Sequence, residues 1–324
     1  VVGHNLKVAW NLTRMHSLMP KESYKTFAHQ IADAIPAAGC DNQRGGWYDM
    51  MERTLKDGEE NYRRVWHDRK AWWQQEQGIL AYYIMAGVYD DKPEYLSFAR
   101  EGTAFYNGWF LDYESGGIYF NVLANGQPYA LGSERGKGSH SMAGYHSFEL
   151  CFLAAIYSNL LVNKQPMDFY FKPDPQGWPD NKLRVAPDLL PKGSVELSEV
   201  WIDDKNYTDF DKDNMIVNLP ASDKSLRVRV RIEPAGLGFS ADLISFDNGI
   251  AQFALDGDLS KQNLPLFKRE LEKLSGVQGI LLDMTNLKTV DDTGWNYLLF
   301  TAQQRGASFS VKLKGLNPEV SEGL

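Results

Sequence analysis

Two histidines and a carboxylate carry the strongest chemical suggestion in this chain. His4 lies in Gly3-His4-Asn5-Leu6-Lys7, Glu76 closes Trp72-Trp73-Gln74-Gln75-Glu76, and His146 closes Gly144-Tyr145-His146. Imidazole titrates close to neutrality, so one such ring can take a proton from a small polar substrate and another can return one. Satisfied structural histidines are the competing reading. Glu76 shares a helical face with Trp72, Trp73, Ile79, Leu80 and Tyr83. A carboxylate among aromatics is costly unless paired. It therefore reads as a ligand-binding group, as a carboxyl with a raised pKa that assists proton transfer, or as a structural ion pair with Arg69. His16, His29, His67 and His140 have no motif around them and read as surface or core residues.

These residues need helices to hold them. Apolar residues recur at three- and four-residue steps over 4–18, 22–38, 68–88, 93–109 and 141–162, which predicts five helices. Pro20 and Gly39 punctuate the first two. Between helices lie two similar excursions. Gly45-Gly46-Trp47-Tyr48 leads to Lys56-Asp57-Gly58, and Gly116-Gly117-Ile118-Tyr119 leads to Ala124-Asn125-Gly126. Each predicts a β-hairpin whose Asp-Gly or Asn-Gly turn needs positive φ. The two Gly-Gly pairs stand about seventy residues apart, as repeated helix–hairpin units would.

On these motifs, residues 2 to about 163 resemble the second half of the N-acylglucosamine 2-epimerase family. That family's Gly-His-x-x-Glu pattern falls on Gly3-His4-Asn5-Leu6-Lys7. Its Trp-Trp-x-Gln-x-Glu-like pattern falls, slightly shifted, on Trp72-Trp73-Gln74-Gln75-Glu76. Its closing Tyr-His pair falls on Tyr145-His146. The resemblance implies an (α/α)6 barrel, twelve helices in two rings around a sugar pocket, and a cofactor-free sugar epimerase or isomerase. It makes His4 and His146 the acid and base on two faces of an enediolate, and Glu76, Trp72, Trp73 and Tyr145 sugar-binding residues. Aromatics at helical spacing are also common core residues, and Tyr145 also reads as packing. Lys7 departs from the pattern, which has a carboxylate there. A carboxylate would favour the imidazolium, whereas a like charge disfavours it. The reading therefore includes reduced or lost activity.

Residues 165–192 carry Pro166, Pro173, Pro175, Pro179, Pro187 and Pro191, and predict an extended linker. Residues 193–236 read as a small β-rich module with strands near 199–202, 215–219 and 226–232. In the last of these, Arg227, Arg229 and Arg231 alternate with Val228, Val230 and Ile232. One face is buried and the other is solvated or anion-binding. From 237 to 324 the order changes: strand 249–255, helix 263–274, strand 279–283, helix 295–305 and strand 308–313. With Asp291-Asp292-Thr293-Gly294 before a helix, this resembles the STAS domain of anti-sigma-factor antagonists. That resemblance implies a protein partner and makes Thr293 a candidate phosphorylation site.

The expected fold is thus multidomain: an all-α partial (α/α)6 barrel over 1–164, the linker, the β-rich module, and an α/β STAS-like domain. A second function class goes with it, a non-catalytic scaffold or regulator that binds a protein partner through the STAS-like domain. At 324 residues with 43% hydrophobic content, the chain is ordered and long enough for several cores. A net charge of −8 gives no broad basic field for nucleic acid. No apolar run is long enough to span a bilayer, and no signal peptide is visible. The two cysteines, Cys40 and Cys151, form no framework, which fits a reducing, cytoplasmic setting. No metal is expected. Gly132–Glu134 with the residues to Gly138 lacks Walker spacing, and Asp209-Phe210-Asp211-Lys212-Asp213 lacks the glycine and glutamate of a calcium loop. The chain begins at a motif, so a preceding half of the barrel, or another chain, is the expected partner of its open side.

Overall fold

The computed structural model describes all residues except 66, 90, 139–141, 178–179, 236–237, 262, 305–308, 317–319 and 321–324, and the side chains of 302–304. His140 and the start of the helix expected over 141–162 lie outside the described residues, as does the start of the last expected strand. The described residues form seven α-helices and thirteen strands, a mixed α/β chain in two compact units. The first comprises Val1–Val162 with Ala186–Lys192, and the second Asn163–Val185 with Gly193–Leu324.

In the first unit the helices are α1 (Val2–Leu18), α2 (Glu22–Gly39), α3 (Trp72–Val88), α4 (Pro93–Trp109) and α5 (Tyr145–Ile156). The last continues as a wider π turn over Tyr157–Val162. Apolar on nearly every side from Ile79 onward, and polar only at Gln74-Gln75-Glu76-Gln77, α3 is buried along most of its length. It packs against α1, α4 and α5. Residues 69–71 are not helical as expected. They form strand β1 (Arg69–Ala71), which pairs antiparallel with β2 (Asn121–Leu123). The reason is local: Lys70, at the middle of β1, is fully buried with its Nζ 2.8 Å from Asp41 Oδ2 and 2.6 Å from the Gly45 carbonyl. A helix starting at 68 would not deliver that amine there.

Among the described residues the two expected hairpins are held mainly by isolated bridges, Met51 with Arg64 in the first and Val122 with Pro128 in the second, but the turns that precede them match closely. Asp41 Oδ1 accepts the N–H groups of Gln43 and Arg44, and Asp112 Oδ1 accepts those of Glu114 and Ser115. Both turns close through glycines of positive φ, Gly46 at 76° and Gly117 at 90°. A lysine then caps each, Lys70 on Asp41 and Lys137 on Asp112. In consequence the N-terminal ends of α1, α3 and α5 carry the three candidate motifs.

The second unit is β-rich. Strands β3 (Met167–Phe171), β5 (Val195–Ile202), β6 (Lys205–Tyr207) and β9 (Val228–Pro234) form an antiparallel sheet of order β3-β9-β5-β6. Strands β4 (Lys182–Arg184), β7 (Phe210–Asp211) and β8 (Ile216–Asn218) form a smaller one. The proline-rich stretch thus contributes two strands, while its end packs with the first unit. Along β9 the valines and Ile232 are buried and the arginines half-buried. Arg231 donates to both carboxylate oxygens of Asp168, at 2.8 and 3.1 Å, and Arg229 lies 3.8 Å over the Trp201 ring.

The last part holds β10 (Phe239–Asp247), β11 (Ile250–Leu259), α6 (Leu264–Glu272), β12 (Gly279–Val290), α7 (Asp292–Gln304) and β13 (Ser310–Lys314). The sheet order is β10-β11-β12-β13, with β11, β12 and β13 parallel. Phe253, Phe267, Leu282, Met284 and Trp295 lie in its core. The helix after the Asp-Asp-Thr-Gly loop begins earlier than the sequence predicts. Asp291 caps it, accepting the Gly294 N–H at 2.8 Å, so Thr293 lies inside its first turn.

Candidate functional site

A cleft of about 290 Å³ opens at the N-terminal ends of α1, α3 and α5. His4, Trp72, Trp73, Tyr145 and His146 line it, together with Lys7, Asp49, Arg69, Asn121 and Glu134. Its walls are built from the residues upward. Gly3 lets α1 approach α3 closely, since a Cβ there would come 2.7 Å from Gln74 Cγ. The Gly3 N–H donates to Gln74 Oε1 at 2.7 Å, and Gln74 Nε2 donates to Asp49. Gln75 binds both backbone groups of Trp47, accepting its N–H and donating to its carbonyl, each at 2.7 Å. Buried amides of α3 thus tie the cleft's first wall to the Asp41–Asp49 turn.

The aromatic floor is Trp73. Its ring centroid lies 4.8 Å from that of His4 and 5.9 Å from that of His146. The Tyr145 and His146 ring centroids lie 3.9 Å apart, the planes tilted by 31°. Four further lining residues form a polar rim. Arg69 Nε donates to Asp49 Oδ2 at 2.6 Å, and its Nη1 donates to Glu134 Oε2 at 2.9 Å. Asn121 Nδ2 donates to the same Glu134 oxygen at 3.3 Å. The lining thus combines carboxylates, an amide and one guanidinium with aromatic rings, which suits a ligand with many hydroxyl groups.

His146 is half-buried, and its pKa lies below the usual imidazole value. Burial is the main cause, the Lys7 and His4 charges add to it, and Glu149 opposes it. Lys7 Nζ stands 3.9 Å from Glu149 Oε2 and 5.5 Å from the Tyr145 ring. Gln77 reaches the same place. Its Nε2 lies 3.3 Å from His146 Nδ1 and 3.1 Å from Glu149 Oε2.

Glu76 does not line the cleft. It is fully buried behind it, where Oε1 accepts hydrogen bonds from Tyr106 and Ser147, each 2.6 Å long. Burial pushes its pKa up, the two hydroxyls pull it back, and Glu149 repels it, with a net rise. Its Oε2 is buried with no partner among the described residues. Arg69, expected as its ion-pair partner, serves Asp49 and Glu134 instead. Sequence reasoning missed the rim of Asp49, Asn121 and Glu134, and it missed Gln77. The signal for Asp49 was the repeat, which places it just past the Gly-Gly turn.

Thr293 belongs to a different place in the fold. It is half-buried in a groove of about 450 Å³ between α6 and α7, with Leu264, Lys268, Tyr297, Leu299 and Phe300. Among the described residues no helix is long and apolar enough to cross a membrane.

No family model matches the chain, and no curated protein sequence matches it. Among solved structures it is similar to a D-mannose isomerase, with TM-score 0.39 and 18% identity over 47% of this chain and 37% of that one. It is similar to a cellobiose 2-epimerase from Bacillus thermoamylovorans B4167, with TM-score 0.38 and 16% identity over 48% of this chain and 39% of that one. An anti-sigma factor antagonist from Mycobacterium paratuberculosis is similar over 28% of this chain and 77% of that one, with TM-score 0.24 and 13% identity. The chain therefore spans well under half the length of the sugar enzymes it matches.

Proposed function

We propose that the first unit is part of a sugar-binding barrel of epimerase or isomerase type, with His4 and His146 exchanging a proton at the carbon next to the sugar carbonyl. The carrying observation is that two imidazoles from different helices share one cleft with Trp73 and the Asp49–Arg69–Glu134 rim. Trp73, half-buried, offers a flat apolar face to a sugar ring, and the rim offers acceptors and donors to its hydroxyls. Trp72, expected beside it as a sugar-binding residue, is buried in the core with Phe120 and backs the cleft. Removing a proton at C2 and returning one to the opposite face requires two groups placed apart, which two helices supply. No metal or cofactor enters this reading. The Lys7–Glu149 pair argues for slow turnover, because the cation disfavours the imidazolium that the cycle must pass through.

Incubation in heavy water with N-acylglucosamine, cellobiose or mannose tests this directly. Deuterium should enter at C2 slowly, and His146→Ala should lower that rate by about 10²–10⁴-fold. Saturating sugar with no change in the protein's NMR spectrum and no exchange would sink the reading.

A second reading rests on the groove beside Thr293, with Leu299 and Phe300 more than half exposed. There the STAS-like part docks a protein partner and the barrel part only binds sugar. Phosphate on Thr293 would sit in the first turn of α7, where free N–H groups favour negative charge. Mass spectrometry of the protein from its own cells should find phosphate on Thr293 if that reading holds.

A further inference from the structure

Gln77 sits behind His146 with its amide orientation fixed by a third residue. Trp10 Nε1, which can only donate, lies 2.9 Å from Gln77 Oε1. The oxygen of that amide therefore faces Trp10, and the NH₂ faces the other way. Its two neighbours on that side are Glu149 Oε2, which can only accept when ionised, and His146 Nδ1. An NH₂ cannot accept, so His146 Nδ1 must be the acceptor. In a neutral imidazole the proton then resides on Nε2.

We propose that Gln77 is a positioning residue that locks His146 as its Nε2–H tautomer, so that His146 meets a bound ligand as a hydrogen-bond donor and not as a base. This rests on the proton-transfer reading for its catalytic consequence, though the tautomer itself does not. The lone pair of His146 is spent on Gln77. The ring edge that remains carries a proton, suited to a carbonyl or hydroxyl oxygen of the ligand. Abstraction of the carbon-bound proton and its return then fall to His4 alone, so the lock narrows the proton-transfer reading to a one-base course, which suits aldose–ketose isomerisation and not 2-epimerisation.

Every charged neighbour bears on this. From α1 come His4 and Lys7, from α3 Gln77 with the rings of Trp72 and Trp73, and from α5 Glu149 and Tyr145. Protonating His146 would point a new Nδ1–H at the Gln77 NH₂, donor against donor, and would add a charge near Lys7. Only Glu149 favours it, and Glu149 is already engaged by Gln77 and Lys7. These contacts favour the neutral ring and a single tautomer.

Nitrogen NMR on the full chain with ¹⁵N-labelled histidine tests the lock, the His146 signals being those lost in His146→Asn. We expect Nδ1 unprotonated and Nε2 protonated in the unmodified protein. In Gln77→Glu combined with Glu149→Gln, which removes the carboxylate 3.1 Å away, a carboxylate replaces the donor while still accepting from Trp10. The tautomer should switch to Nδ1–H and the pKa rise by about 1 unit or more. In Gln77→Leu, which offers neither donor nor acceptor, the preference for Nε2–H should weaken. An Nδ1–H tautomer in the unmodified protein overturns the proposal, as does a tautomer that neither variant moves. The heavy-water assay separates the two readings. If the sugar reading holds, His4→Asn should abolish C2 exchange, while His146→Asn should lower it by about 10²–10⁴-fold, the range expected for His146→Ala, without abolishing it. No exchange at all, with the tautomer as expected, would overturn the sugar reading and leave the lock standing. Exchange that survives His4→Asn would overturn the division of roles.

Discussion

At the scale of single residues, the buried carboxyl of Glu76 makes the sharpest thermodynamic demand. Its folded pKa is raised by burial, so between its ordinary value and the raised one the folded chain holds a proton that the unfolded chain has released. Stability contributed by that group is full below the ordinary value and declines as pH rises through the window. Glu76→Gln should keep an acceptor for Tyr106 and Ser147 and remove this slope. Denaturant melts across mildly acidic to neutral pH should show the unmodified protein losing ground to the variant as pH rises. Glu76→Ala should instead cost about 1–3 kcal/mol for each hydroxyl left unpaired. The sequence led to Glu76 because a carboxylate among tryptophans is conspicuous. The same motif held a better pointer. Read without a shift, the last place of Trp-Trp-x-Gln-x-Glu falls on Gln77, the side chain that reaches His146. A glutamine gives no chemical alarm in a sequence, and its importance emerges only when Trp10, His146 and Glu149 converge on it.

At the scale of elements, the two turn-and-lysine units are a natural comparison. Each joins an aspartate that caps a Gly-Gly turn to a lysine from later in the chain. The first pair is buried, with side-chain exposures of 0% for Lys70 and 3% for Asp41, while Lys137 in the second is 30% exposed. Removing one partner of a buried pair strands the other, so Lys70→Ala should destabilise the first unit by about 3–5 kcal/mol. Lys137→Ala should cost much less, since water can replace the amine at Asp112. Thermal unfolding of the two variants side by side measures the difference, and equal losses would mean that burial is not what sets it. The helices themselves were legible because apolar residues at helical period follow burial. The boundary at 69–71 was not, because a short strand beside a buried lysine has no periodic signature. The turn of α5 into a π turn over Tyr157–Val162 likewise follows from packing rather than from local pattern.

At the scale of the whole molecule, the first unit shows apolar side chains along two helices. Phe148 is 78% exposed and Phe152 54%, on one stripe of α5 with Tyr145. Val8, Met15 and Leu18 form another along α1. Large apolar side chains ranked along a helix mark surfaces that take a partner. Sedimentation should therefore find a particle heavier than 36.7 kDa, and Phe148→Ser with Phe152→Ser should shift it toward that mass. A monodisperse 36.7 kDa monomer before any substitution would refute this. The alternation of strands and helices after 249 was legible from local composition, whereas the parallel pairing of β11, β12 and β13 is set by long-range contacts. The membership of residues 163–192 was not readable, because prolines mark what cannot be helix and do not say which neighbour a strand will join.

That last segment also decides how the chain can be cut. The backbone leaves the first unit after Val162, runs through Asn163–Val185 in the second, returns for Ala186–Lys192, and leaves again. On its return Asp188 takes the Arg14 guanidinium of α1, and its Oδ2 accepts the Tyr157 hydroxyl at 2.8 Å. A protease nick near 163 would thus separate no intact body from another, since the clasp on α1 arrives from the far side of the cut. The same threading means that a recombinant fragment ending at Val162 would lack its own latch, with a guanidinium left facing the place where Asp188 belongs.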